Sequence, residues 1–157
     1  MKYFESYEEY DNKSGDTFWG DVGAGILCVS KSTKRILIAL RSVYVNEPRT
    51  WGIIGGKIDD EYNENIKDGA IREFEEETGF KSYIKLSPSY IFKTPNNTFT
   101  YHNFLGEIEN EFIPKLCWET EKYKWVSLEE LLEINPKHFG LEGLLKNDLN
   151  TLKNLLK

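Results

Sequence analysis

Residues 65–80 read Asn-Ile-Lys-Asp-Gly-Ala-Ile-Arg-Glu-Phe-Glu-Glu-Glu-Thr-Gly-Phe, and two patterns run through them at once. Ile66, Ala70 and Phe74 recur every fourth position, the stripe of an amphipathic helix, and Gly79 follows where a C-terminal cap belongs. The spacing predicts a helix over 65–78. Glu73, Glu76 and Glu77 lie at i, i+3 and i+4, so three carboxylates share one side within a turn. On a wheel of about 100° per residue, Glu77, Ile66 and Ala70 all fall within roughly 60° of Glu73. The acidic stripe therefore overlaps the edge of the apolar one. On charge pattern alone a solvated helix face explains such a run. Clustered carboxylates at the border of a core instead call for a cation that takes their charge.

Gly69 stands one turn before Glu73 on the same side, where a helix interior loses about 1 kcal/mol relative to Ala. The missing side chain leaves room for another backbone, and Gly55-Gly56-Lys57 upstream is the segment able to approach. Backbone carbonyls with three carboxylates suit Mg2+, which takes oxygen ligands and leaves positions for water and phosphate.

Outward from this helix, 24–30 and 35–42 are two apolar runs separated by Lys31-Ser32-Thr33-Lys34, which predicts a hairpin. Pro48, Gly52, Gly55 and Gly56 make 43–60 loop and short strand. Residues 83–92 and 98–108 read as strands joined by a Pro95-Asn96-Asn97 turn, and 124–126 as a short strand. Ser127 to Glu130 matches a capping box, and Leu141, Leu144, Leu145, Leu149, Leu152 and Leu156 give a terminal helix one apolar face. Residues 1–20 are expected to form an irregular or short-strand lead-in. This order predicts an α+β or mixed α/β fold with a central sheet.

The 157 residues carry 20 Lys+Arg against 26 Asp+Glu, with 39% hydrophobic residues, so one domain with its own core is expected. The net charge of −6 argues against broad binding to nucleic-acid backbones. Cys28 and Cys117 lie far apart, which disfavours zinc ribbons and disulfide scaffolds and points to a reducing cytoplasm. The first ten residues are acidic and aromatic, and no apolar run approaches the ~20 residues of a membrane span. The terminal leucine stripe is most simply core packing, and the chain is read as a monomer or homodimer.

Arg72 to Phe80 resembles, at every specified position, the R-E-U-x-E-E-x-G-U half of the Nudix box, where U is bulky and apolar. Glu64 stands eight residues before Arg72 as that pattern requires, and Trp51 to Lys57 resembles the family's aromatic residue and G-G-K. Two departures fall in one loop: seven residues separate Gly56 from Glu64 where the usual box has five, and Ile54 replaces the usual Pro before the glycine pair. The resemblance implies a mixed β-sheet sandwiched between helices. It also implies hydrolysis of the pyrophosphate bond of a nucleoside diphosphate linked to another group, with Mg2+ or Mn2+. Glu73, Glu76 and Glu77 correspond to the metal-binding glutamates, Gly55 to the carbonyl ligand, and Arg72 and Glu64 to the residues that orient them. A small-molecule nucleotide is the implied partner.

Glu119 and Glu121 are candidates for the base that takes the proton from the attacking water, with His102 a further one. Arg41, Arg49 and Lys57 are candidates to hold phosphates. Tyr44 and Trp51 could stack on a base, and Trp51 equally could fill the core. Pro95 falls where a proline accompanies ADP-ribose-cleaving members, although its turn also explains it. Two alternatives remain: an idle Nudix-like module that binds a nucleotide, and a hydrolase of RNA 5'-ends or caps.

Overall fold

The computed structural model describes residues 21–58, 65–96 and 98–157. The lead-in over 1–20, Glu64, residues 59–63 of the loop and Asn97 lie outside the described residues. Strand β1 (Asp21–Ser30) organises the sheet. Ala24, Ile26 and Cys28 join the core on one of its faces, Leu27 and Val29 the core on the other, and all five are fully buried. After the polar turn, β2 (Ile36–Arg41) returns antiparallel with Leu37 opposite Cys28, which is the expected hairpin. Strand β4 (Ile54–Lys57) pairs with the first half of β1, Gly23 to Ile26. On the other edge β6 (Phe99–Ile108) runs parallel to β1 along its whole length, and β5 (Lys85–Lys93) pairs antiparallel with β6. Strands β3 (Trp51–Gly52) and β7 (Thr120–Val126) both pair with β2.

Helix α1 (Ile66–Thr78) covers one face, where Ala70 and Phe74 pack with Ile26, Ile54 and Phe104. Helices α2 (Leu128–Glu133) and α3 (Phe139–Leu155) cover the other, bringing Leu131, Leu141, Leu144 and Leu152 against Leu27, Ile38 and Leu105. The result is a mixed sheet between helices, the expected class. Ser127 and Glu130 form the expected capping box. Strand β7 starts at Thr120 rather than near residue 124, because its first half carries exposed Glu121 and Lys122 and takes its conformation from pairing with β2. Trp51 is 8% exposed within the core. That corrects its expected use as a stacking platform: the indole is packing. Among the described residues no helix is long and apolar enough to cross a membrane.

His138 caps α3, its Nδ1 accepting the Gly140 N–H at 3.0 Å while its ring lies 4.2 Å from that of Phe139. Burial and the nearby Arg41 charge lower its pKa from 6.5 to about 3, so the ring stays neutral and able to accept. Unfolded, the imidazole binds a proton near its ordinary pKa. The stability it contributes is therefore complete above about pH 6.5 and is lost as pH falls toward 3. Urea unfolding at pH 7 and pH 5 is expected to show a loss on the order of 1–2 kcal/mol from this group. The variant His138→Asn, which keeps a capping acceptor, should show a smaller loss. An equal loss in the variant would assign the acid sensitivity elsewhere.

Candidate active site

Helix α1 is fixed in register at both ends and along its buried face. Asn65 accepts N–H bonds from Lys67 and Asp68 at 2.9 and 3.3 Å, and Gly79 ends the helix at φ 79°, donating to the Glu75 carbonyl. Phe74 meets Phe80 and Phe112 edge to face. With Phe74 seated, Glu73 turns toward β4. A Cβ on Gly56 would stand 2.5 Å from Glu73 Oε2 and 2.6 Å from its Cδ, so only glycine lets that carboxylate lie against the backbone. The glycine pair makes a close approach to helix α1 at Glu73. A Cβ on Gly55 would run into the Ala24 carbonyl oxygen, the Gly25 Cα and Tyr101 Oη. The Gly-Gly pair is thus wedged between the central strand and the acidic helix.

Arg72 ties the cluster together. Its Nη1 donates to Glu73 Oε1 at 3.2 Å and to both Glu76 oxygens at 3.1 and 3.2 Å, and its Nη2 donates to the Lys57 carbonyl at 3.2 Å. Glu73 has a 17% exposed side chain and Glu76 a 59% exposed one, so the trio spans the border between core and solvent. Burial, with Glu119, Glu73 and Glu76 adding repulsion and Arg41 offsetting part of it, pushes Glu77 up to about 8. Burial also raises Glu73, against the pull of Arg72. Tyr123 Oη donates to the Glu77 carbonyl at 2.9 Å and holds the last turn of the helix.

Glu119 is half-buried and its charge reaches both Glu77 and Glu73. Glu121 instead pairs with Arg49 at 2.8 Å on the surface, which separates these two candidates from the cluster. Arg41 acts on Glu77 while its Nε donates to the Asn46 carbonyl at 2.8 Å. Lys57 ends β4 beside Arg72. Tyr44 is 79% exposed on the loop after β2. His102 lies half-buried on β6, its pKa lowered by burial and by Lys93.

Sequence reasoning missed Tyr101 and Tyr123. The Tyr101 ring lies across Gly23 and Gly25 with its hydroxyl over Gly55, and burial beside Glu77 raises its pKa. Its only signal was an aromatic residue facing a run of glycines on a strand that pairs with it.

Among the described residues no three acidic, His or Cys side chains converge as a ready ligand set, and Arg72 engages two of the carboxylates. The donor chemistry nevertheless fits a divalent cation. Three carboxylates and the Gly55 carbonyl are oxygen donors, and the glycine-shaped space at Gly56 holds one carboxylate against the loop. Burial first, then the neighbouring carboxylates, push Glu77 up to about 8, and a cation beside it would favour its charged form.

A sequence profile of the NUDIX domain matches residues 20–147. A CMP-5'-(N-acetyl-N-hydroxy-3-aminopropyl)phosphonate hydrolase of Streptomyces rubellomurinus is 26% identical over 124 residues, covering 71% of this chain and 54% of that protein. The chain thus spans about half the length of this curated relative. A Nudix hydrolase from M. Smegmatis, RenU, superposes with TM-score 0.70 at 16% identity, covering 88% of each chain. The NUDIX domain of Shewanella oneidensis NrtR, solved with ADP ribose, superposes with TM-score 0.64 at 17% identity, over 94% of this chain and 97% of that one. A C. elegans Ap4A hydrolase gives TM-score 0.64 at 20% identity, over 85% and 98%. At such identities the likeness to these structures is one of fold.

Proposed function

From a chain that belongs to the NUDIX domain family, we propose a pyrophosphohydrolase that uses Mg2+ or Mn2+ to cleave a nucleoside diphosphate linked to another group. The observation that carries this reading is the Glu73 carboxylate pressed against Gly56 and bound, with Glu76, by Arg72, which also holds the Lys57 carbonyl of the glycine loop. Glu73, Glu76, Glu77 and the Gly55 carbonyl hold the cation, and the chain acts as one catalytic domain. When bound, the cation neutralises diphosphate oxygens and acidifies water.

The remaining roles fall to side chains around the trio. Arg72 orients Glu73 and Glu76 and ties them to the Lys57 carbonyl, a use suited to a guanidinium that stays charged. Arg41, half-buried at the end of β2, holds a phosphate oxygen. Glu119 takes the proton of the attacking water as the new P–O bond forms and the bridging P–O bond breaks, its electron pair leaving with the departing phosphate. Its reach to Glu77 and Glu73 favours it over Glu121, which Arg49 engages. Both cysteines are free, which supports a reducing, cytoplasmic setting.

The test is a panel of nucleoside triphosphates, ADP-ribose, nucleotide sugars, dinucleoside polyphosphates and capped RNA, each with Mg2+ and with Mn2+, with products identified. Cleavage of at least one member at a phosphoanhydride, ended by a chelator, is the expected result. Folded protein that cleaves none, or that cleaves equally after chelation, would overturn the reading.

A further inference from the structure

Between β6 and β7 the chain crosses residues 111–119 without helix or strand. Burial of its largest apolar side chains does not hold this crossing in place, since after Phe112 the residues Ile113, Leu116 and Trp118 are all exposed. Hydrogen bonds do. The Trp125 indole N–H donates to the Phe112 carbonyl at 3.0 Å, the Lys115 N–H to the Thr78 carbonyl at 2.7 Å, and the Ser42 N–H to the Glu119 carbonyl at 2.9 Å. Just past the crossing, Tyr123 Oη donates to the Glu77 carbonyl at 2.9 Å. Glu77 and Thr78 close helix α1. The stretch from Lys115 to Tyr123 is therefore stapled at both ends to the helix turn that carries Glu76 and Glu77, and Glu119 lies between the staples.

The two staples differ in kind. Lys115 contributes backbone, which any residue but proline supplies. Tyr123 contributes one phenol hydroxyl, from a strand position opposite Ala39 whose ring packs in the core with Ala70 and Phe74. The sheet fixes the ring, the ring fixes where the hydroxyl stands, and the hydroxyl takes one of the carbonyls that a helix end leaves without a helical partner. The Thr120 and Cys117 side chains lie beside the same phenol oxygen, so helix and crossing meet at one atom. We propose that Tyr123 is a positioning residue that holds Glu119 at a fixed station beside the end of α1, an inference that rests on the hydrolase reading above with Glu119 as its base. A base contributes only from the geometry in which it reaches the attacking water, and a misplacement of about 1 Å can lower a rate on the order of 100-fold. Helix α1 keeps its own place without this hydroxyl, through Phe74, the Lys115 staple and the Gly79 cap. Loss of the hydroxyl therefore falls on kcat rather than on the binding of cation or substrate.

Tyr123→Phe and Glu119→Gln, alone and combined, form the test, with amide hydrogen exchange followed residue by residue on the same preparations. Tyr123→Phe keeps the ring and should lower kcat about tenfold or more on a substrate that the wild type cleaves. KM should stay within about threefold, as should Mn2+ affinity read by electron paramagnetic resonance. Added to Glu119→Gln it should lower the rate no further, because the group it places has already been removed. Exchange at the Ser42 and Lys115 amides should quicken about fivefold while the β1–β6 ladder exchanges as in the wild type. The same loss of kcat in the Glu119→Gln background as in the wild type would overturn the proposal, as would a wild-type kcat in Tyr123→Phe. The exchange measurement needs no turnover. Quickening confined to Ser42 and Lys115 upholds the staple even if no member of the panel is cleaved. Exchange identical in wild type and variant, beside normal hydrolysis, sinks the staple and leaves the hydrolase standing.

Discussion

Replacing Glu76 by Gln is expected to lower kcat/KM by at least about 1,000-fold, a loss of roughly 4 kcal/mol in transition-state stabilisation. The fold should barely notice. Glu76 is 59% exposed on its side chain, and its link to Arg72 is an i,i+4 pair at the surface, worth a few tenths of a kcal/mol. Its neutral amide keeps the shape and loses the charge that a divalent cation would meet. Circular dichroism melts and steady-state rates on the same preparations separate the two effects. Activity within about tenfold of wild type would remove Glu76 from the machinery. The same substitution at Glu73 should reach a similar loss with a different stability signature. That carboxylate is more buried and its pKa is already raised, so a neutral replacement relieves part of the desolvation cost.

The Gly55-Gly56 pair yields the second large effect, because the two glycines are needed for different reasons. A Cβ at Gly55 meets backbone, the Ala24 carbonyl and the Gly25 Cα, both belonging to the strand that carries β4 and β6. Neither can retreat without breaking the ladder. Gly55→Ala is therefore expected to destabilise the protein by about 3 kcal/mol or more, read by urea unfolding, or to prevent folding. The three atoms nearest a Cβ at Gly56 all belong to the end of the Glu73 side chain, which can rotate away. Gly56→Ala should fold with a melting curve close to wild type and lose activity by about 10- to 100-fold, because one carboxylate has been displaced. Equal stability losses in the two variants, or full activity in Gly56→Ala, would show that the glycine pair does not position Glu73.

Much of this arrangement was legible because local patterns and tertiary packing agree. The Ile66, Ala70, Phe74 stripe and the Gly79 cap gave helix α1, and polar residues 31–34 between two apolar runs gave the β1–β2 hairpin. The placement of Glu73 beside the apolar stripe, derived from angular spacing, matches its mostly buried side chain. What escaped depends on contacts between residues far apart in the chain. The parallel pairing of β1 with β6 joins segments more than 70 residues apart and leaves no periodic signature. Strand β7 begins in a charged stretch whose conformation comes from β2. Trp51 left two uses open in the sequence, stacking and packing, and only the pairing of β3 with β2 shows that the ring lies in the core. Tyr101 acquires meaning only when the glycines it covers are seen on a neighbouring strand.

Anomalous diffraction from crystals of the full chain soaked in Mn2+ with a nonhydrolysable nucleoside diphosphate ester most directly tests whether the α1 glutamates gather a cation against the glycine pair. A manganese peak is expected at roughly 2.1 Å from carboxylate oxygens of the Glu73, Glu76 and Glu77 group and from the Gly55 carbonyl, with Arg72 withdrawn from at least one glutamate. A peak located elsewhere, or the carboxylates still engaged by Arg72 with the diphosphate bound and no manganese among them, would contradict it.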